Sequence, residues 1–214
     1  MTADIPEQLL TLKTERLTLR KMTLGDAEAI FAYAQDPDVS RYVTWSTHEA
    51  IADTERFLSV VLQSYTTATG MDWGIVHNQD RKLIGTCGLF NWNHNHTRAE
   101  LGYALSKQYW NQGYMTEAVK AVISFGFHVM MLNRIEAICK IENIASAQVL
   151  QKVGMELEGT LRQYVFYKGN YWDVKIYSIL NPNAASFDLS HLITNSWIDP
   201  SIQNVNQNAD NHYD

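Results

Sequence analysis

Between Arg98 and Val129 the chain reads RAELGYALSKQYWNQGYMTEAVKAVISFGFHV. Arg98 to Leu105 has the composition of a strand, Ser106 to Gln112 is a polar turn, and Gly113 opens a helix. The helix is read from Ala118, Val119, Val122, Ile123 and Val129, which fall on one side at helical spacing. A strand that runs through a turn straight onto a helix N-terminus delivers unpaired backbone N–H groups and the positive end of the helix dipole. That is an anion site of the kind that holds phosphate. Gly113 permits a close backbone approach, and Thr116 adds a hydroxyl in the first turn. The same pattern also occurs as a plain helix start with nothing bound.

The rest of the chain supplies further strands and helices around this unit. Thr14 to Lys21 alternates apolar Leu17 and Leu19 with polar neighbours and reads as a strand. Thr23 is placed to cap a helix through Ala34, ended by Asp36-Pro37-Asp38. Ser46 to Glu49 fits a capping box before a helix with Ile51, Leu58, Val61, Leu62 and Tyr65 on its apolar face. Asp72 to His77 and Lys82 to Phe90 read as a hairpin, with Gly85 and Gly88 marking a bulge or a close backbone approach. Arg134 to Ile141 is the next strand, parallel to Arg98–Leu105 across a right-handed crossover. Lys168-Gly169-Asn170 turns a last hairpin between Leu161–Tyr167 and Tyr171–Leu180.

At 214 residues the chain can bury one sizeable α/β core. A net charge of −6 argues against nonspecific nucleic-acid binding, which depends on neutralising phosphate. No stretch is apolar for long enough to span a bilayer, and no signal peptide is evident, so a cytoplasmic location is expected. Cys87 and Cys139 sit in apolar strand-like runs and are expected to be buried, reduced thiols. The seven histidines show no metal spacing, and His94 and His96 read as loop residues.

The run ELGYALSKQYWNQGYMTEA resembles the acetyl-CoA loop of the GNAT N-acetyltransferases, closest to the RimJ/RimL-like branch, which acetylates protein N-termini. The branch often has Tyr-Trp-Gly-x-Gly-Tyr-Ala-Thr-Glu-Ala. Tyr109, Trp110, Gly113, Tyr114, Thr116, Glu117 and Ala118 match it, and Asn111 and Met115 depart from it. The opening T-E-R-L-x-L-R is also common in that branch. ENIASAQVLQKVGM resembles the second family signature at Asn143, Ser146 and Gly154, and Asp173 matches a family position in the last hairpin. The resemblance covers residues 14 to 180.

It implies an α/β (α+β) GNAT fold, a mixed and mostly antiparallel sheet flanked by helices. The two parallel strands are expected to splay apart at the acetyl-CoA site. Residues 14–180 would form the acetyltransferase domain and 181–214 a partly disordered extension, with Phe187, Leu189, Leu192, Ile193 and Trp197 available for docking. Leu105, Gln112, Gly113, Tyr114, Met115, Thr116 and Asn143 would hold acetyl-CoA. Asn143 also reads as a helix cap.

Many relatives place a Tyr seven residues after that Asn to protonate the departing thiolate. Here the position is Leu150, and Ser146 is the alternative donor. A carboxylate some relatives carry on the last hairpin is replaced by Val165. Glu100 is then the candidate base, although it also reads as a strand residue paired with Arg98. Tyr42 and Trp45 are candidate acceptor contacts or core cover, and Tyr164 and Tyr167 on the last hairpin join them.

The activity implied is acetyl transfer from acetyl-CoA to a primary amine, a protein N-terminal α-amine first. A polyamine, amino acid or aminoglycoside is the alternative, and a non-catalytic CoA-binding module is a third reading. No metal, membrane or direct nucleic-acid partner is expected, and the chain would act as a monomer or homodimer.

Overall fold

A computed structural model describes residues 11–67 and 70–182. In chain order the elements are β1 (Leu12–Lys13), β2 (Leu17–Arg20), α1 (Ala27–Ala34), α2 (Pro37–Ser40), α3 (Ile51–Thr67), β3 (Met71–His77), β4 (Lys82–Asn93), β5 (Arg98–Leu105), α4 (Tyr114–His128), β6 (Arg134–Lys140), α5 (Ile144–Lys152), β7 (Glu156–Tyr167) and β8 (Asn170–Leu180). Short 3₁₀ turns at Leu24–Asp26 and Lys107–Tyr109 precede α1 and α4.

The strands form one sheet in the order β1-β2-β3-β4-β5-β6-β8-β7. Every neighbouring pair is antiparallel except β5–β6. The expected mixed, mostly antiparallel α/β architecture is the one observed.

Side-chain alternation along the strands divides the core into two layers. Ile84 and Leu105 join Trp73, Leu89, Val119, Val122 and Leu150 on the side covered by α4 and α5. Their neighbours Leu83 and Ala104 point the other way, to Ile30, Tyr33, Leu58 and Val61 of α1 and α3. Val119 and Val122 are fully buried, and each such side chain stabilises the fold by roughly 1.5–3 kcal/mol. Cys87 and Cys139 are free and buried, as expected. Among the described residues no helix is long and apolar enough to cross a membrane.

Several element boundaries differ from the sequence reading. The strand expected from Thr14 starts at Leu17, because the Thr14 hydroxyl accepts from Leu17 N–H at 3.0 Å and closes a tight turn. The helix expected from Thr23 opens as a 3₁₀ turn in which the Asp26 carboxylate, gripped by Arg20, accepts from Thr23 N–H at 2.8 Å. The Ser46–Glu49 box does not form. Asp53 reaches back instead to the N–H groups of Glu49 and Ala50 at 2.8 and 3.0 Å, and α3 begins at Ile51.

The close approaches read at Gly85 and Gly88 are present. A side chain at Gly85 would collide with the Ala104 carbonyl, and one at Gly88 with the Asp72 carboxylate. The register slips beside Gly85, where Ile75 pairs with Gly85 and Val76 with Leu83. In the last hairpin Lys168 and Gly169 both have positive φ, 51° and 74°, the mirror-image turn that suits strand twist. Residues 1–13 read in sequence as a loosely held lead-in, but Leu12–Lys13 form β1 against β2; residues 1–10 and the apolar residues from Phe187 to Trp197 lie outside the described residues.

One departure from a continuous sheet positions the site. β5 pairs with β6 only through Arg98, Ala99 and Glu100, opposite Arg134, Ile135 and Glu136. From Leu101 to Leu105, β5 keeps β4 on one edge and has no β6 partner on the other, while β6 stays paired to β8 through Lys140. The two parallel strands therefore splay into a V that opens toward the N-termini of α4 and α5.

Candidate active site

The mouth of the V is a cleft of about 500 Å³. Its walls come from the segment after α2 (Tyr42), the end of β5 (Tyr103, Leu105), the loop into α4 (Trp110, Gly113) and the N-cap and first turn of α5 (Asn143, Ser146). Ser106 N–H bonds to Ile84 on β4, so the Leu105 amide group, one residue earlier, faces the open edge. The Leu105 carbonyl there accepts the Trp110 indole N–H at 2.8 Å.

The loop backbone carries two left-handed residues, Asn111 at φ 60° and Gly113 at φ 82°. Asn is the side-chain-bearing residue that best tolerates this conformation, which explains the departure from Gly at 111. The first intrahelical bond of α4 runs from Glu117 N–H to the Gly113 carbonyl at 3.0 Å. The amides of Tyr114, Met115 and Thr116 are thus left for an anion in the cleft. Met115 is 6 % exposed, so its extra bulk goes into the core under α4.

The loop is braced from behind. Glu117 Oε1 accepts from the Thr14 hydroxyl at 2.7 Å and Arg16 N–H at 2.9 Å, and Oε2 from Arg16 Nε at 2.7 Å. Arg16 also donates to the Gln112 carbonyl at 3.0 Å and lies 4.4 Å over the Tyr114 ring. Burial pushes the Glu117 carboxyl up, but these donors outweigh it and hold it below the usual carboxylate range. Gln112 itself turns away from the cleft, its side chain bonded to the Gln108 carbonyl at 2.9 Å.

Across the V, Asn143 caps α5 by accepting Ser146 N–H at 3.2 Å. The Ser146 hydroxyl lies 2.9 Å from the Tyr103 hydroxyl, which comes from the opposite wall on β5. Burial raises the Tyr103 phenol, so it stays protonated and able to donate at neutral pH. Leu150 is fully buried in the core and does not reach the cleft.

The remaining sequence candidates are dispersed. Glu100 is half-buried on β5, opposite Phe90 and beside Glu136, outside the cleft lining. It is not the partner of Arg98, whose guanidinium pairs with Glu136 at 2.8 Å. Trp45 packs into the α1–α3 layer and lies 5.4 Å from the His48 ring. Tyr164 is 60 % exposed on β7. Tyr167 stacks edge-on against Trp172 and its hydroxyl meets Ser46 at 3.1 Å. Of the four aromatic candidates only Tyr42 lines the cleft. Tyr103 and Arg16, which sequence reading did not single out, are both reached only through the folded sheet.

The family model described as an acetyltransferase (GNAT) domain matches residues 16–156. This chain belongs to the GNAT acetyltransferase family. The acetyltransferase is 37 % identical over 171 residues to the uncharacterized N-acetyltransferase YoaA of Bacillus subtilis (strain 168), covering 80 % of this chain and 97 % of YoaA. Its fold is similar to that of a GNAT-family acetyltransferase from Bacillus anthracis, with a TM-score of 0.71, 30 % identity, and coverage of 80 % of this chain and 98 % of the other. A Vibrio cholerae structure provisionally described as a ribosomal-protein-serine acetyltransferase superposes with a TM-score of 0.72 at 26 % identity, covering 84 % of this chain and 99 % of that one. The GNAT chain is an N-acetyltransferase, which sets aside the reading as a non-catalytic module.

Proposed function

We propose that this N-acetyltransferase moves the acetyl group of acetyl-CoA to a protein N-terminal α-amine, by direct attack within a ternary complex. The carrying observation is the poverty of bases in the cleft. Its single carboxylate among the described residues, Asp38, is tied to Lys107 at 2.6 Å and held below the usual range by that bond. A site with so little basicity is matched to an amine that loses its proton readily. An α-amine has a pKa near ~8, against roughly 10.4 for a lysine-like amine.

When bound, acetyl-CoA supplies an acyl group activated as a thioester. The amides of Tyr114, Met115 and Thr116, with Gly113 and the Gln112 backbone beside them, bind the pyrophosphate. Asn143 and the free edge of β5 at Leu105 orient the rest of the cosubstrate. Holding the two reactants in line accounts for much of the acceleration in such a transfer. Glu100, on β5 outside the cleft lining, takes the amine proton only by way of an intervening water, and the Ser146 hydroxyl donates to the departing sulfur. Tyr42 lies against the acceptor, and Trp45, Tyr164 and Tyr167 act no closer than the rim.

The test is acetyl-CoA consumption by the pure protein with a panel of acceptors. The panel holds a short peptide with a free N-terminus, the same peptide with a blocked N-terminus and one lysine, and spermidine. Consumption confined to the free N-terminus supports the proposal. Equal or faster turnover of spermidine or the lysine side chain overturns it.

A further inference from the structure

Behind the loop that carries the anion-binding amides lies a cluster of three rings, and one of them comes from the hairpin of β3 and β4. His77, the last residue of β3, is buried. Its ring centroid is 5.5 Å from that of Tyr109 and 5.0 Å from that of Tyr114, and the two tyrosines are 6.0 Å apart. Tyr109 ends the 3₁₀ turn before the loop, and Tyr114 is the first residue of α4. Both tyrosines line the cleft, and His77 does not. The histidine therefore touches both ends of the corner that holds left-handed Asn111 and Gly113.

The platform under this cluster is fixed from both sides. His77 pairs with Leu17 of β2 and with Lys82 of β4, and its carbonyl accepts the Arg81 N–H at 2.8 Å. Asp80, in the turn between β3 and β4, accepts the Tyr109 hydroxyl on Oδ2 at 2.7 Å. The same Oδ2 is 2.9 Å from His77 Nδ1, but off the line that a hydrogen bond needs. Nδ1 is thus the one buried side-chain nitrogen or oxygen among the described residues left without a hydrogen-bond partner. Such an orphan costs stability, so the imidazole is not there for what Nδ1 bonds. Its ring contacts with the two tyrosines hold it in place.

From this arrangement we infer that His77 is a positioning residue for the cosubstrate's phosphates: its ring, wedged against Tyr109 and Tyr114, sets where the amides of Tyr114, Met115 and Thr116 lie relative to the free edge of β5. The inference rests on the pyrophosphate site proposed above and adds a residue that acts on it from outside the cleft. Between the two tyrosines, Trp110 is fastened to the Leu105 carbonyl, so the start of the loop is tied to β5. The far end of the loop has no such tie to β5, and His77 relates the two ends through Tyr114 and Tyr109. Amide donors bind an anion through their direction and spacing. Losing the wedge therefore weakens the grip on phosphate and leaves the reacting end of the cleft, at Tyr103 and Ser146, as it was.

The test compares two thioesters on the full chain: acetyl-CoA, and S-acetylpantetheine, which has the same reacting end and no phosphate. For His77→Ala the acetyl-CoA dissociation constant, read by calorimetry without any acceptor, is expected to rise about tenfold. With the free-N-terminus peptide as acceptor, kcat at saturating acetyl-CoA and kcat/KM for S-acetylpantetheine should each stay within about twofold of wild type. His77→Phe keeps a flat ring and puts carbon in place of the orphaned nitrogen, so it should bind acetyl-CoA as wild type does and melt no lower. Where the alanine variant does not fold, His77→Leu fills the volume without a flat ring and should show the same split. Equal losses for the two thioesters in a folded variant, an unchanged acetyl-CoA dissociation constant, or a His77→Phe protein that binds as weakly as His77→Ala overturns the inference. A wild type that uses both thioesters with equal kcat/KM instead removes the phosphate site on which it stands.

Discussion

Arg16 Nε lies 2.7 Å from Glu117 Oε2, and that one bond joins the start of the sheet to the first turn of the helix that floors the cleft. Neither residue lines the cleft. Arg16 passes the constraint on to the Gln112 carbonyl, so the left-handed corner at Asn111 and Gly113 is held from outside.

Breaking this brace should loosen cosubstrate binding with little effect on the chemical step. Glu117→Gln keeps the size of the side chain and removes the charge that Arg16 grips. The acetyl-CoA dissociation constant is expected to rise about 3- to 10-fold, the scale of one partly buried charged contact. Gly113→Asp should be far worse. It adds a side chain at a φ of 82° and puts a negative charge where phosphate binds, and calorimetry should detect no acetyl-CoA binding by the folded variant.

Glu100→Gln tests the proton acceptor. If the carboxylate takes the amine proton, kcat should drop about 10²–10⁴-fold near neutral pH and recover in part above the amine pKa, where free base is already present. A loss of equal size at every pH would assign Glu100 a positional role on β5 instead.

The hydroxyl pair across the V makes a sharper prediction. Ser146→Ala should lower kcat modestly and leave acetyl-CoA affinity almost unchanged, because the thiolate is already a fair leaving group with a thiol pKa near ~8.5 in the comparable side chain. Tyr103→Phe, which removes the hydroxyl 2.9 Å from Ser146, should reproduce much of that loss, and the double variant should be no worse than the poorer single. Strictly additive losses would show that the two hydroxyls do not act as a unit. A tyrosine introduced at 150 is not an informative rescue, since Leu150 is fully buried and the extra volume would overpack the core.

Asp72 gives stability a pH dependence unrelated to the chemistry. Burial beneath α3 pushes its carboxyl up to about 6, above its value in the unfolded chain. A raised carboxyl favours the protonated fold. This contribution is therefore full below about pH 4 and lost as pH climbs through about 6. Asp72→Asn should stabilise the protein at pH 8 by about 1–3 kcal/mol and do little at pH 4, as read from urea unfolding at the two pH values.

Much of this molecule is legible in its sequence, because the strand-turn-helix unit is local. Residues 98 to 129 carry their own periodicity, and the glycine and aromatic pattern of the loop identifies both the element and its family. Boundaries set by side chains competing for the same backbone groups were less legible. Thr14 closing on Leu17 and Asp53 displacing the Ser46 cap each use capping chemistry a few residues from where the pattern suggested. Tyr103 was hidden for a different reason. In sequence it is one strand residue among several, and only the divergence of β5 from β6 brings it to Ser146. Trp45 and Tyr164 show the converse, since an aromatic in a loop or hairpin has no sequence mark that separates core cover or open surface from a binding wall.

At the narrow end of the V, Arg98 meets Glu136 at 2.8 Å, Glu136 meets Arg134 at 2.8 Å, and Arg134 forks onto Glu158, which also takes the Ser178 hydroxyl at 2.6 Å. This chain of charges crosses β5, β6, β8 and β7 where β5 and β6 still touch. Mechanically the sheet is two plates sharing a three-residue seam, and the ion chain is the spring of a clothes-peg whose jaws are the cleft. The divergence of the strands thus begins directly beyond a ladder of ion pairs whose residues do not line the cleft.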